Sequence, residues 1–421
     1  MKTSLSTKLS ILIVTSPFPN ANEVFSDLKI LSLARKGHRV YVLSKFPGEK
    51  TKLKKIRASE PNLDIRPFST LKFRGSKINF FYRLFLLPFK IVKAVIVSPN
   101  STYRTIKTIF LDGFNRNQIY RLFMQLDLIF LSRKVQIIHF DWNNQAKDYL
   151  EALINIITPF LVSIRGKGIS SQPLVDDELA RKLPILFNRA NYIHSVSHGL
   201  VEHGIAFGVK QKKVVVITDA IDLPQFTPPK IRNYSQRPIQ IITVAHLVWK
   251  KNILGAVLAI KILVDRGYDV TYIIVGEGPE RENLTFAIRD LGLNNRVFLR
   301  GRISHESVIH SLSKSHIFLM PSVQEGFCIS VIEAQAMELP VVVTDAEGLQ
   351  ENIEENVTGL VAKRWDVKDL ADKMEILLQN PDKCSSFGKA GRIRAIEHFG
   401  IDQQIKKFEN LYSHIIEKNE S

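Results

Sequence analysis

The chain has 421 residues, more than one compact core normally holds, so two domains are expected. It is 45% hydrophobic and 24% charged, a globular balance, and its two cysteines, Cys328 and Cys384, exclude a disulfide framework and belong to no CxxC or Cys/His grouping. The net charge of +17 is uneven: Thr51 to Val135 holds 17 Lys and Arg against 4 Asp and Glu, a net +13.

In chain order, MKTSLSTKLSILIVTSPFPN carries lysines and a short apolar run that ends at Pro17 and Pro19. It lacks a small-residue cleavage pattern and reads as a first strand rather than a signal peptide. Candidate strands lie at 9–16, 38–44, 136–140, 160–164, 192–197 and 214–218, then at 240–245, 270–276, 296–301, 316–322, 341–344 and 359–362. Short runs rich in Val and Ile, separated by helical stretches, indicate parallel sheets buried on both faces. DLPQFTPPKIRNYSQRP (222–238) separates the two sets. The expected class is therefore α/β, with two doubly wound, Rossmann-like domains over 1–225 and 236–400 facing a cleft. A last helix, within 401–421, is expected to pack back across the hinge.

The basic stretch is interleaved with INFFYRLFLLPFKIVKAVI (78–96). On a helix, Arg83, Lys90 and Lys93 fall on one face, and Phe80, Phe81, Leu84, Leu87 and Ile91 are among the apolar residues covering the rest, with a kink expected at Pro88. That is the pattern of a helix lying in the interface of an anionic membrane, and its charges recur too often for a span. The plainer alternative is a buried helix with a solvated basic edge. Aliphatic rather than stacking surroundings argue against nucleic acid.

EGFCISVIEAQAMELPVVVTD (325–345) holds the acids that most need a reason. HIFLMPS before it reads as a strand, QEGF as the exit loop and CISVIEAQAME as a helix stopped by Pro340. On that helix Ile329, Glu333 and Met337 share one face. A carboxylate on an apolar stripe is costly unless donors reach it. Free N–H groups at Phe327, Cys328 and Ile329, at the positive end of the helix dipole, suit a phosphate. Glu333, one turn further, suits a ribose diol, and Glu325 suits hydroxyls of a group attached beyond the phosphates. Phosphate, ribose and a hydroxyl-rich substituent together describe a nucleotide sugar. The plainer alternative pairs Glu333 with a core Lys or Arg.

These residues, with VAHLVWKKNI (244–253), IIVGEGPERENL (273–284), VFLRGRI (297–303) and ENVTGLV, carry a resemblance. ILIVTSPFPNANEVFSDLKILSLARKGHRVYVLS (11–44), SIRGKGIS (163–170) and SVSHGL (195–200) extend it more weakly into the first half. The chain resembles the large retaining glycosyltransferase family called group 1 or family 4, of the GT-B fold, whose E-x7-E segment the two glutamates match. The resemblance implies that 1–225 binds acceptor and 236–400 binds a nucleotide-diphosphate sugar. It also implies that Glu325 contacts the donor sugar, Glu333 the ribose and Lys251 the diphosphate. Gly326, Phe327, Cys328 and Ile329 would line the distal phosphate. Neither a metal nor another cofactor is implied, the donor being a substrate.

Departures from the family pattern are specific. His246 stands where relatives have a phosphate-binding arginine, and it lacks that side chain's bidentate fork. Ala245, Asn252, Cys328 and Glu338 replace glycines, FPNANEVF (18–25) occupies the place of a Gly-Gly loop, and Arg165, on the acceptor side, replaces the histidine of an H-G-x-D segment. The expected activity is retaining, metal-independent hexosyl transfer to a lipid-linked or oligosaccharide acceptor in cell-surface polysaccharide biosynthesis, of the lipopolysaccharide or exopolysaccharide type. The expected location is cytoplasmic, peripheral on the inner face of the cell membrane. The rivals are a catalytically silent nucleotide-sugar-binding or scaffold protein of the same fold and, on a similar fold, a nucleotide-sugar epimerase. His194 and His198 read as structural, GEGP (276–279) and GKAGR (388–392) as neither a dinucleotide nor a Walker motif, and Asp141-Trp142 as a strand end.

Overall fold

The computed structural model describes residues 8–15, 17–19, 24–44, 48–67, 77–111 and 116–420, with the side chains of 24–25, 66–67, 77–83 and 116 left out. Positions 20–23 of FPNANEVF and the side chains of Phe80, Phe81 and Arg83 thus lie outside the described residues. The chain divides into two compact units: Met1–Val196, Leu200–Ile217 and Ile405–Ser421 form one, and Ser197–Gly199 with Thr218–Gln404 form the other.

The first unit contains β1 (Ser10–Thr15), α1 (Val24–Arg35), β2 (Arg39–Ser44), α2 (Lys50–Ser59), β3 (Leu63–Pro67), α3 (Lys77–Val97), α4 (Pro99–Phe110) and α5 (Arg116–Ser132). There follow β4 (Ile137–Phe140), α6 (Asn143–Ala146), α7 (Leu150–Leu153), β5 (Phe160–Ile164), α8 (Gly166–Ser170), α9 (Asp177–Arg189), β6 (Tyr192–Ser195), α10 (Gly199–Ala206) and β7 (Val214–Val216). All seven strands are parallel in the order β3-β2-β1-β4-β5-β6-β7, so the order reverses between β1 and β4. Runs such as IIHF and FLVSI are buried at every position, as strands covered on both faces must be. β3 was not expected from sequence. Its LDIRP contains two charges and a proline, which only an edge strand tolerates well.

Helices α3, α4 and α5 pack on one another between β3 and β4. Pro88 lies inside α3. Leu87 and Ala94 are buried, whereas Phe85, Phe89, Val92 and Ile96 are 70%, 61%, 57% and 76% exposed. Lys90 corrects the expected basic face: its ammonium bonds Asp127 and sits 3.9 Å from the Phe123 ring centroid, held by α5 rather than offered to solvent.

The second unit contains β8 (Ile239–Val244), α11 (Ile253–Asp265), β9 (Val270–Val275), α12 (Arg281–Asp290), β10 (Val297–Gly301), α13 (His305–Lys314) and β11 (Ile317–Met320). It continues with α14 (Ile329–Ala336), β12 (Val341–Thr344), β13 (Gly359–Ala362), α15 (Val367–Gln379) and α16 (Pro381–His398), before α17 (Ile401–Glu420) returns the chain to the first unit. Six parallel strands take the order β10-β9-β8-β11-β12-β13, reversing between β8 and β11. Ile241, Ala256, Ile260, Tyr272, Leu319, Val342, Ala371 and Met374 are core residues here, all fully buried. Two doubly wound parallel-sheet units are therefore present, as the sequence led us to expect.

Candidate active site

The carboxyl ends of β8 and β11 flank the point where the second sheet reverses, the position at which open α/β sheets bind ligands. Leaving β8, the chain passes through Ala245–Val248 into one 3-10 turn, Trp249–Lys251, closed by Asn252 in the left-handed region at φ 48°. Ala245 N–H donates to Val275 O (3.0 Å) and Leu247 N–H to Glu277 O (2.9 Å), pressing this loop against the exit of β9. That contact accounts for GEGP: a Cβ on Gly276, whose φ is +144°, would fall 1.8 Å from Ala245 O. Val323 N–H donates to Lys250 O (2.8 Å), which ties the β8 exit to the β11 exit.

This arrangement brings Lys251 to Glu325. The ammonium bonds the carboxylate at Oε2, with only 14% and 12% of the two side chains exposed. Burial pushes the Lys251 pKa down, but the Glu325 charge, Cys328 and the hydrogen bond to Glu325 together raise it above the ordinary lysine value. The Glu325 loop is held from behind, where Gly348 N–H donates to Glu325 O (3.0 Å). A Cβ on Gly348 would lie 1.8 Å from the carbonyl of buried Gly326, so a glycine is needed there.

Glu333 projects from α14 with 12% of its side chain exposed, and its Oε1 accepts a 2.9 Å hydrogen bond from His305 Nε2. The partner is thus a histidine, not the core Lys or Arg weighed from sequence. The hydrogen bond to Glu333 raises the His305 pKa above the ordinary imidazole value, with burial opposing it. Phe226 packs edge-on against the same imidazole, centroids 5.8 Å apart.

The helix terminus needs one correction. Cys328 N–H donates to Asn352 Oδ1 (3.1 Å) and Asn352 Nδ2 donates back to Cys328 O (3.1 Å), so this N–H is not free for a phosphate. The N–H groups of Phe327, Ile329 and Ser330 have no acceptor among the described residues and remain the donors at this terminus. Burial raises the Cys328 pKa, leaving a neutral thiol at the helix start. His246, an exposed residue of the β8 exit, donates from Nδ1 to Glu277 O.

Arg165 lies in the first unit, after β5, nearly fully buried with its guanidinium 5.9 Å from the Trp142 ring centroid. Asp141, in the same unit and at the end of β4, is fully buried and paired with buried Lys29 of α1. A polar chain runs through the same sheet. Tyr412 O–H donates to His139 Nδ1 (2.7 Å), His139 Nε2–H to Ser163 Oγ (2.7 Å), Ser163 O–H to His194 Nδ1 (2.7 Å) and His194 Nε2–H to Ile217 O (2.8 Å). The carbonyl at the end accepts only, which sets every donor before it. His194 is structural, as its position suggested.

Sequence reasoning missed His305 and Asn352. Asn352 ends the E-x7-E segment, which runs on through DAEGLQEN, but no role was read for it, while nothing in GRISH marks its histidine. Among the described residues no helix is long and apolar enough to cross a membrane, and no three His, Cys, Asp or Glu group as metal ligands.

Residues 227–394 match the family model "Glycosyl transferases group 1". The amylovoran biosynthesis glycosyltransferase AmsK of Erwinia amylovora is 30% identical over 241 residues, covering 56% of this chain and 59% of that protein. One subunit of human phosphatidylinositol N-acetylglucosaminyltransferase is 31% identical over 268 residues, covering 62% and 54%. The chain thus spans little more than half the length of these relatives. Among solved structures, HepE of Anabaena in complex with UDP superimposes with a TM-score of 0.72 at 15% identity over 96% of this chain and 100% of that one, a likeness of fold. The fold is that of GT-B proteins, and residues 227–394 are similar to the group 1 glycosyl transferases.

Proposed function

We propose that this protein transfers a glycosyl group, with retention of configuration, from a nucleoside-diphosphate sugar to a lipid-linked or polysaccharide acceptor. The observation that carries the reading is the grouping at the β8/β11 reversal of one ammonium, two carboxylates and the unaccepted N–H groups of Phe327, Ile329 and Ser330. In transfer the acceptor oxygen bonds the anomeric carbon as the glycosyl–phosphate bond breaks, and the electron pair leaves with the nucleoside diphosphate. Lys251 and the helix N–H groups face that growing charge, the largest electrostatic lever available. One ammonium hydrogen is engaged by Glu325 and two remain for phosphate oxygens. Glu325 accepts from hydroxyls of the donor sugar, and Glu333 from the ribose. No metal is needed in this scheme, so transfer should continue in a chelator.

The test is turnover of radiolabelled UDP-, GDP- and ADP-sugars by purified protein with membranes, the product's anomeric configuration being read by NMR. Transfer with retention supports the reading, and an inverted product refutes it. Nucleotide binding without transfer from any donor would favour the silent, sugar-nucleotide-binding alternative.

The names of two relatives, one in amylovoran biosynthesis and one acting on phosphatidylinositol, support a polysaccharide or lipid acceptor. A cytoplasmic membrane face suits such acceptors. Phe85, Phe89, Val92 and Ile96, at spacing i, i+4, i+7, i+11, make an exposed apolar stripe along α3. Residues 77–111 contain six Lys or Arg and no acid. An exposed apolar stripe on a segment whose own charges are all basic is suited to an anionic bilayer.

A further inference from the structure

Glu333 carries a charge that the fold has nearly removed from water, and one side chain is placed to offset it. His305 is the first residue of α13, where Ser304 caps the helix by accepting from Ser307 N–H. The cap fixes the position of the His305 backbone, and Phe226 restricts its ring from the side. Arg392 in turn donates to the carbonyls of Phe226 and Ala336, so the wall behind the imidazole is itself anchored to the end of α14. Nε2 then meets Glu333 Oε1 at 2.9 Å. A carboxylate has about four lone-pair sites, so a donor on Oε1 still leaves capacity for two hydroxyls.

We propose that His305 is a positioning residue for nucleotide recognition, holding the Glu333 carboxylate so that it receives both hydroxyls of the donor ribose. The assignment rests on the reading of Glu333 given above. A cis diol wants both carboxylate oxygens in one plane and one rotamer. A glutamate has three torsions to order, and an unheld one must lose that freedom on each binding event. His305 removes the loss beforehand, and in either protonation state its Nε2–H can donate. Its contribution therefore belongs to the diol alone and not to the base or the phosphates.

The test is a cycle of nucleotide and side-chain changes followed by calorimetry. The native protein is titrated with UDP, GDP and ADP, and the one that binds is compared with its 2′,3′-dideoxy form. His305→Ala should weaken the ribonucleotide roughly tenfold, the scale of one hydrogen bond to a charged group, and leave the dideoxynucleotide within about twofold. His305→Gln, whose amide nitrogen reaches about as far as Nε2, should recover most of the loss. His305→Asn, too short to reach, should behave like Ala. Equal losses for both nucleotides, or no loss in the Ala variant, overturn the assignment while leaving Glu333 as the ribose ligand. A native protein that does not distinguish ribose from dideoxyribose, or that binds no nucleotide, overturns the reading of Glu333 and the assignment with it.

Discussion

The Lys251 ammonium and the Glu325 carboxylate, from the exits of two adjacent parallel strands, satisfy each other directly. Each holds its partner's charge in a place that water scarcely reaches. Under the proposed function a donor diphosphate would meet an ammonium already desolvated, and little reorganisation would accompany the chemistry.

Removing either partner should therefore have two separable effects. Lys251→Ala should lower turnover at saturating donor by about two orders of magnitude or more, as loss of a charge-stabilising donor does. It should also destabilise the second unit by about 2 kcal/mol, because Glu325 is left as a nearly buried, unpaired carboxylate. Adding Glu325→Gln should restore much of the stability and none of the turnover. Turnover assays and urea unfolding of the native protein and both variants separate the two outcomes. Unchanged turnover in Lys251→Ala would remove it from the diphosphate site.

His246 leads to a different expectation because of its hydrogen bond. With Nδ1–H given to Glu277 O, a neutral imidazole presents only an acceptor at Nε2, which repels a phosphate oxygen. An arginine there would instead offer a permanent charge and a fork of N–H donors. His246→Arg should accordingly strengthen nucleotide-diphosphate binding, and calorimetric titration of the native and variant proteins decides it. Equal affinities would place His246 outside the phosphate site.

The sheets were legible in the sequence because parallel strands buried on both faces read as short Val- and Ile-rich runs, and the expected runs became strands. LDIRP escaped because an edge strand needs no such run. At the site, Lys251, Glu325 and Glu333 stood out as charges in apolar or motif-bearing settings. His305 did not, since its role depends on the start of α13 meeting the side of α14, which no spacing encodes. Lys90 was misread for a related reason: helical periodicity put it on a basic face, but Asp127, 37 residues away, took its charge. The Cys328 N–H was lost to Asn352 in the same way.

Two glycine replacements within the family motifs do show their consequence. Asn252 and Glu338 both keep a left-handed backbone, at φ 48° and 58°. Asparagine tolerates that region, whereas glutamate is strained in it. Glu338→Gly should stabilise the second unit by up to about 1 kcal/mol, and Asn252→Gly by distinctly less. Equal changes in urea midpoint for the two would mean that the backbone is not strained at Glu338.

The chain from Tyr412 to Ile217 requires both histidines neutral. Burial, with the nearby charge of Lys29, lowers the His139 pKa well below the ordinary value, and burial with Arg165 does the same to His194. A depressed folded pKa means that the unfolded state binds protons first as pH falls. Stability of the first unit is then full above the unfolded imidazole pKa of about 6.5 and declines below it, by up to about 1.4 kcal/mol per pH unit for each histidine. Denaturant unfolding at pH values about one unit above, at and one unit below that pKa measures this. Stability that is level across the range would mean the histidines are not held neutral.

The membrane reading rests on α3 and α4, and the structure changes how it must be tested. Lys90 cannot serve as a membrane-facing charge, because reversing it would break its bond to Asp127 and disturb the packing against α5. Among the described side chains, the exposed basic residues of α3 and α4 are instead Lys93, Arg104 and Lys107, and the most exposed apolar ones on α3 are Phe85, Phe89, Val92 and Ile96. Insertion of the apolar stripe supplies affinity for any bilayer, and each basic residue near an anionic surface adds about 1 kcal/mol. Converting Lys93, Arg104 and Lys107 to Glu should abolish co-sedimentation with anionic vesicles at physiological salt. Replacing Phe85, Phe89 and Ile96 by Ser should weaken binding to anionic and neutral vesicles alike. None of these side chains is buried, so thermal unfolding should shift little in either variant. Under the proposed function donor binding belongs to the second unit, and it should survive both changes. If both variants sediment like the native protein, the stripe merely faces solvent and the bilayer is not its partner.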